Sequence, residues 1–363
     1  MSAFWMSACG TYADYSSDPD PSKVLPLGDP IKSTLYSETD LSDLDIPVGN
    51  YSGISYMGGN RYAVTDDKAK GAGFVYINFS INSSNGKLSN ASRTVPEGTT
   101  YEEFTPSDWE DPSTWKYAIN DAEGIVFYPK NNSIFIACEE GHQGPRIIEY
   151  DLNGKPTGRC MEMPDEFRYI TDEHGTHYNW NDGEYDLESL TYNEKTGLFW
   201  TTTEQSLRSD KKEGEESSLL RLQSFNEDLK PASQYLYNTD ENETKDESGY
   251  HIWGVADLLA LDDGRLIVME REFSLTNLWC NVKLYVVDPT KAKEGDLLKK
   301  TILKEFRTSS SLTDGMFADY EGMCLGPRLN NGKQTLILIA DSDNGKGFLY
   351  FKLHDAVKVL TIE

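Results

Sequence analysis

The chain has 363 residues, with 60 acidic and 34 basic side chains, a formal net charge of −26 and a pI near 4.5. Apolar residues make up 38% and aromatic residues 12%, which is enough to build a core and excludes a wholly disordered chain. The charge excludes nucleic acid and an anionic membrane as the main partner, because both require clustered Lys and Arg, and it favours cations or the surface of an exported protein.

Residues 1–30 are predicted to be a truncated lipoprotein-like leader followed by a flexible tether. The stretch MSAC ending at Cys9 resembles a bacterial lipoprotein cleavage site, with Cys9 as the lipidated residue. No apolar run is long enough for a transmembrane helix, and a Ser/Asp/Pro-rich segment follows. We therefore expect an exported protein, periplasmic or on the surface of a bacterium, that meets the membrane only through an anchor at Cys9.

An internal repeat dominates the rest of the sequence. A small or acidic residue opens a short apolar strand, a turn follows, and a second apolar strand ends in acidic residues. The pattern recurs at roughly 67-residue intervals, longer than a simple propeller blade. The five segments are 52–67, 123–140, 188–204, 255–272 and 321–343. Their turns, which predict hairpins, carry Gly-Gly-Asn, Lys-Asn-Asn, Lys-Thr-Gly, Asp-Asp-Gly and Asn-Asn-Gly.

The repeat predicts an all-β fold for residues 31–363, namely a single β-propeller with long inter-blade loops. Five blades are visible, and a sixth would form if the strand at 31–45 pairs at the closure of the ring. An all-β sandwich is the alternative. Further strands are expected at 73–79, 146–154, 218–225, 282–288 and 347–353, and the long loops at 96–120, 164–186 and 238–252.

Two rings of acidic residues are expected around the propeller channel, because the first strand of every blade lines it. One ring opens the first strands, and the other ends the second strands. Oxygen ligands without His or Cys favour a hard cation, so the sequence predicts a Ca²⁺ site. The expected metal ligands are Glu123, Glu188, Asp257, Glu321 and Asp341. The alternative is that these acids cap strand ends and accept backbone N–H groups from neighbouring blades.

Basic residues lie beside the acids in the sequence. Arg146 and Arg271 are the expected substrate-binding residues, because Arg binds phosphate and carboxylate groups in bidentate fashion. Arg271 stands between two glutamates and fits an ion pair between blades equally well. His174 and His177 have ligand-like spacing, but a solvated acidic loop explains them better.

The repeats resemble the bacterial phytase-like propeller family named for the esterase-like activity of phytase. The similarity rests on the ordered recurrence of acid-Gly-apolar openings and on the ending Leu-x-Val-x-Glu-Arg. It covers roughly residues 50–353, and the matching stretches begin at Asp121, Leu187, Gly254 and Tyr320. The resemblance implies an exported propeller hydrolase that acts on phosphate esters or related esters.

The leading hypothesis is a calcium-dependent hydrolase of small phosphorylated or ester substrates, working as a monomer at the acidic mouth of the channel. The metal would polarise the substrate and lower the pKa of a bound water. Glu139, Glu204 or Glu270 would act as the general base. One alternative is a calcium-dependent lactonase. Another is a non-catalytic, surface-anchored propeller that binds a glycan or protein through aromatic loop residues Tyr101, Trp109, Trp115, Tyr178 and Trp180.

Overall fold

The computed structural model describes residues 30–66, 73–97, 120–140, 146–172, 175–178, 187–211, 218–244, 251–310, 316–342, 347–348 and 351–363. In these ranges the chain forms five four-stranded antiparallel sheets. The innermost strand of each sheet contacts those of its two neighbours, so the sheets close a ring. The predicted all-β propeller is confirmed, and it has five blades.

Four blades follow the chain from the innermost strand outward. Blade 1 has β2 (Ile54–Tyr56), β3 (Arg61–Thr65), β4 (Phe74–Ile81) and β5 (Leu88–Thr94). Blade 2 has β6 (Asn120–Tyr128), β7 (Ser133–Glu140), β8 (Arg146–Asp151) and β9 (Pro156–Cys160). Blade 3 has β12 (Thr191–Asn193), β13 (Leu198–Thr201), β14 (Leu219–Phe225) and β15 (Pro231–Asn238). Blade 4 has β16 (His251–Ala260), β17 (Leu266–Ser274), β18 (Trp279–Val287) and β19 (Thr301–Ser309).

Blade 5 combines strands from both ends of the described chain. Its order from the axis outward is β20 (Asp319–Arg328), β21 (Gln334–Asp341), β24 (Ala356–Ile362) and β1 (Ser33–Asp40). The pairing of β1 with β24 runs from Ser33 opposite Ile362 to Asp40 opposite Ala356. The N-terminal strand therefore completes the fifth blade, and the predicted alternative of a sixth blade is wrong.

The third strand of blade 5 also differs from the prediction. It was expected at 347–353, but the structure forms only the small hairpin β22 (Gly347–Phe348) and β23 (Phe351–Lys352) there. The longer apolar segment β24 pairs with β21 instead, and all seven of its residues are buried. A strand between two others in a propeller is covered on both faces, which favours such a continuous run.

The remaining elements are short connections. Between blades 2 and 3 lie helix α1 (Asp165–Arg168) and a hairpin of β10 (Tyr169–Asp172) and β11 (Gly175–Tyr178). Single 3-10 turns occur at Leu41–Leu44, Arg208–Asp210 and Pro289–Lys291. Among the described residues, no helix has the length and apolarity needed to cross a membrane.

The hairpin turns follow the predicted chemistry in all five blades. Each turn between the first and second strands contains a residue with positive φ, a conformation that Gly and Asn adopt most readily. These residues are Gly59, Asn132, Gly197, Gly264 and Gly332. The turn residues therefore fix where each second strand begins.

The core consists of five apolar clusters, each shared by two adjacent blades. Strand β21 shows how one strand serves two of them. Leu336 and Leu338 pack towards blade 4, whereas Ile337 and Ile339 pack towards blade 1. Successive side chains of a strand point to opposite faces, so every blade is buried on both sides.

Candidate functional site

The acid-Gly pairs at the starts of the innermost strands lie where neighbouring blades approach most closely. A Cβ atom on Gly53 would stand 2.3 Å from the carbonyl oxygen of Glu123, and one on Gly322 would stand 2.2 Å from the carbonyl oxygen of Ser52. Glycine permits this approach because it has no side chain. Glu123, Ser52 and Glu321, which lie at these close approaches, consequently converge at one end of the channel, the acidic mouth.

Burial raises the pKa of the Glu321 carboxyl well above its usual range, because a buried carboxylate loses its hydration. Arg271 opposes this shift. The negative charges of Asp319, Asp341 and Glu123 raise the pKa further. Four acids from the first and second strands of blades 2 and 5 thus act on one another at the acidic mouth.

Arg271 on β17 is the cation among these acids. Its Nη2 atom lies 3.0 Å from Oε1 of Glu321 and 3.0 Å from Oε1 of Glu204, and its Nη1 atom lies 3.4 Å from Oδ2 of Asp319. Burial alone would lower the pKa of Arg271, but the charges of Asp319, Glu204 and Glu321, with that of Glu188, raise it well above the usual value. The guanidinium is therefore charged, and it forms an ion pair between blade 4 and both adjacent blades.

Glu204 follows β13 and is held against blade 4 by backbone contacts. Its carbonyl oxygen accepts the N–H of Val255 at 3.0 Å, and the side chain of Gln205 donates to the carbonyl oxygen of Trp253 at 3.2 Å. Burial raises the pKa of Glu204. The positive charge of Arg271 lowers this pKa, and the negative charge of Asp319 raises it further. A carboxyl group with this environment is a candidate proton acceptor or donor.

Asp257 occupies a different position from the other predicted metal ligands. A β-bulge between Val255 and Asp257 shifts the register of β16, whereas the bulge in β20 falls between Tyr320 and Gly322. Asp257 therefore corresponds to Gly322, not to Glu321. Its carboxylate accepts the backbone N–H groups of Leu258 and Met323, each at 2.7 Å, and of Leu190. These bonds link the innermost strands of blades 3, 4 and 5.

Glu270 faces away from Arg271, since adjacent residues of a strand point to opposite faces. Its carboxylate accepts hydrogen bonds from the hydroxyl of Tyr237, the backbone N–H of Asp240 at 2.9 Å and Nζ of Lys300 at 2.6 Å. Glu272 similarly accepts the N–H groups of residues 243 and 244 and contacts His251 at 3.0 Å. These two glutamates fasten the segment 238–244 to blade 4.

The structure places the other predicted residues with less detail. Glu139 lies at the end of β7, but its side chain is outside the described part of the molecule, as are His174, the side chain of His177 and the aromatic loop side chains. Arg146 begins β8 and is half-buried. Asp341 ends β21 directly opposite Asp319.

Asp319 and Cys280 are members of the cluster that the sequence reasoning missed. The Cys280 thiol donates to Oδ1 of Asp319 at 3.4 Å. Burial raises the pKa of Asp319, with Arg271 and Cys280 opposing. A signal was present in the sequence, because Asp121, Asp186 and Asp319 each stand two residues before the acid that opens a repeat.

Beyond the close backbone contacts, the innermost strands surround a cavity of about 200 Å³. Its lining combines apolar side chains, among them Ile54 and Leu190, with polar ones such as Ser55, Thr191 and Glu194. The hydroxyl groups of Tyr56 and Tyr192 donate to protein oxygens. The cavity therefore offers both apolar and polar contacts, and the carboxyl groups that meet Arg271 lie at the acidic mouth.

The described acids do not fit the predicted calcium site. In the part of the chain that the structure describes, no group of three or more His, Cys, Asp or Glu side chains is placed to hold a metal ion. At the acidic mouth the guanidinium of Arg271 supplies the positive charge between Glu204, Asp319 and Glu321. Calcium binding therefore stays a prediction.

One protein-family model matches most of the chain. The model of the phytase-like family, described as esterase-like activity of phytase, matches residues 46–344. The chain belongs to this family. The match spans all four segments that carried the resemblance, from the opening at Asp121 to the end of the fifth repeat, and no curated protein sequence matches the chain significantly.

Solved structures resemble the chain more distantly. A nidogen–laminin complex has 10% identity and a TM-score of 0.38, covering 87% of this chain and 86% of that chain. An endo-arabinase from Bacteroides thetaiotaomicron has 14% identity and a TM-score of 0.43, and the match covers 87% of this chain and 94% of the arabinase chain. A soluble aldose sugar dehydrogenase from Escherichia coli has 10% identity and a TM-score of 0.36, and the match covers 92% of this chain and 99% of the dehydrogenase chain. No functional conclusion follows from likeness at this level.

Proposed function

We propose that the protein is a hydrolase of phosphate esters or related esters that acts at the acidic mouth of the propeller. Membership of the phytase-like family supports this class of reaction. The observation that carries the proposal is the convergence of two carboxyl groups, the buried Glu204 and the half-buried Glu321, on the single guanidinium of Arg271. Carboxyl groups held together in a buried site can take up and return protons during hydrolysis.

The two carboxyl groups differ in their surroundings. The side chain of Glu321 is 13% exposed, whereas that of Glu204 is 2% exposed and packs against the backbone of blade 4. Glu204 would remove a proton from the attacking water and return it to the leaving alkoxide, and the more accessible Glu321 would contact the alcohol. Arg271 would keep both carboxyl groups in position and moderate their charge.

The charge at Arg271 favours neutral esters among the substrates of this proposal. Three carboxyl groups already surround the guanidinium, so it has little net positive charge to offer a phosphate dianion. A carboxylic ester or a lactone carries no such charge in its ground state. A phosphate ester would need a further cation, which is the role that the predicted calcium would have.

The proposal is tested by measuring hydrolysis of phosphate monoesters including phytate, carboxylic esters and lactones, each with calcium and with a chelator. Glu204→Gln should lower turnover at least about 100-fold on any substrate that is hydrolysed. Glu363→Gln, at an exposed ion pair with Lys333, is the control and should leave turnover unchanged. Absence of hydrolysis across the panel would favour the non-catalytic binding alternative, and an active Glu204→Gln variant would reject the site.

A further inference from the structure

Two polar atoms at the centre of the acidic mouth have no hydrogen-bond partner among the described residues. They are Nε of Arg271 and Oε1 of Glu204. Oε1 lies 3.0 Å from Nη2 of Arg271, but the contact does not have the alignment of a hydrogen bond. The two side chains are only 3% and 2% exposed, so bulk water does not solvate them.

Such a pair is unusual, because nearly all buried donors and acceptors in proteins are hydrogen-bonded. The other polar atoms of the cluster show the expected pattern. Glu321 accepts from Nη2 of Arg271, and the two oxygens of Asp319 accept from Arg271 and from Cys280. The unpartnered donor and the unpartnered acceptor therefore occur together, on two side chains in direct contact.

The chemistry of these atoms restricts what could join them. Nε–H needs an acceptor, and Oε1 needs a donor. Nε and Nη2 belong to one planar guanidinium, so an oxygen bound to Nε also lies within reach of Oε1. A hydroxyl oxygen both accepts and donates, whereas a carboxylate or a phosphate dianion has no proton to donate and an ammonium group has no lone pair to accept with.

Charge leads to the same conclusion. An ionised Glu204 already offsets the charge of Arg271, and the carboxyl groups of Asp319 and Glu321 lie beside the pair, so a further anion gains no net attraction there. A neutral group has no such penalty. The ligand that fits both the hydrogen bonding and the charge is a neutral hydroxyl.

We propose that Glu204 and Arg271 bind a neutral hydroxyl group, and that in the hydrolytic reaction this is the attacking water. The assignment of this hydroxyl as the attacking water rests on the proposed function. Glu204 takes a proton from the water, and the water oxygen forms a bond to the carbonyl carbon or phosphorus of the ester. The bond to the alcohol oxygen breaks, and the leaving alkoxide takes the proton from Glu204, which restores the carboxylate.

The first test is a crystal structure from conditions free of alcohols and polyols, at a resolution that shows ordered water. The expected result is an oxygen within hydrogen-bond distance of both Arg271 Nε and Glu204 Oε1. A second data set with ethylene glycol shows whether an alcohol hydroxyl replaces the water. A refined structure in which Nε binds a protein acceptor, or in which no oxygen lies between the two atoms, would overturn the proposal.

The second test separates the binding site from its role in the reaction. Glu204→Gln keeps an amide oxygen that can accept from water but cannot take its proton, so the ordered oxygen should remain. Turnover should fall at least about 100-fold while KM changes less than about twofold. An active variant with unchanged turnover would remove the role as base.

The two proposals fail in different ways. An ordered oxygen in a wild-type protein that hydrolyses no ester would retain the hydroxyl site and reject the hydrolytic reaction. Hydrolysis by a protein that shows no ordered oxygen at this position would retain the hydrolytic reaction and reject the hydroxyl site. If Glu204→Gln does not fold, the wild-type electron density still decides whether the hydroxyl site exists.

Discussion

Gly254 packs directly against Glu204: a Cβ atom on Gly254 would stand 2.2 Å from the Glu204 carbonyl oxygen and 2.6 Å from its Cγ atom. A backbone carbonyl cannot move aside as the end of a flexible side chain can. The absence of a side chain at position 254 is therefore what lets Glu204 lie against blade 4, within reach of Arg271.

We accordingly expect Gly254→Ala to displace Glu204 and to destabilise the protein by about 1–3 kcal/mol, the usual cost of overpacking. Crystallography would measure the displacement, and hydrolysis of any substrate found for the wild type should fall. Gly295→Ala is the control, because Gly295 has open space around it but a φ of +84°. Gly295→Ala should lower the free energy of unfolding through backbone strain, but it should not move Glu204. An undisturbed Glu204 in Gly254→Ala would refute this account.

The carboxylate of Asp257 ties three blades together, so its removal should weaken the ring. Asp257→Ala would leave the N–H groups of Leu258 and Met323 buried without their acceptor, at about 1–3 kcal/mol for each unsatisfied group. Urea unfolding should show this loss. Asp228→Ala, in an exposed turn, should change the free energy of unfolding by less than about 0.5 kcal/mol. Equal effects of the two substitutions would contradict the proposed linkage.

Arg271 supplies the positive charge among Glu204, Asp319 and Glu321, which gives a test of the calcium prediction. Arg271→Met leaves Glu204, Asp319 and Glu321 without their counter-charge and should lower the free energy of unfolding by about 3–5 kcal/mol near neutral pH. Calcium should then raise the melting temperature of the variant more than that of the wild type.

The matched control is Arg159→Met, because Arg159 pairs with Glu149 but its side chain is 40% exposed. This variant should lose less stability and respond to calcium no more than the wild type does. Thermal unfolding with calcium or with a chelator gives the comparison. Stabilisation of the wild type as large as that of Arg271→Met would mean that calcium binds away from the arginine.

Asp355 should make stability depend on pH. Burial raises its pKa to about 6, opposed by hydrogen bonds from Ser342 and the N–H of Gly49. The folded state therefore favours the protonated form, and the free energy of unfolding should fall by up to about 3 kcal/mol as the pH rises from about 4 through about 6. Asp355→Asn should remove that fall, as measured by urea unfolding across this pH range.

Asp40 provides the opposite case as a control. Burial would raise its pKa, but hydrogen bonds from Ser42 and His354 hold the pKa below its usual value. Its contribution to stability is present above the unfolded pKa and is lost as the pH falls through the folded pKa. Asp40→Asn should therefore lower the free energy of unfolding most near neutral pH. At the same pH Asp355→Asn should raise it most. The same pH profile for both variants would contradict the assignment.

The positions of the blades could be predicted from the sequence, because turn residues and continuous apolar strands are local signals. Gly264 and Gly332 mark their turns, and the glycines after Glu123 and Glu321 mark the close approach of the innermost strands. Asp257 stands at the position of Gly322, and the strand register that shows this depends on pairing with β17. Which acid would meet Arg271 likewise depends on how three blades pack.

The hydrogen bonds between β1 and β24 have a consequence for how the protein is made. During synthesis β1 leaves the ribosome long before β24, so blades 1 to 4 can assemble before β1 has its partner. Until then β1 and the outer side of β21 are open strand edges, which are templates for pairing with another chain. The chain therefore has open strand edges until β24 is made, and the pairing of β24 with β1 and β21 covers them.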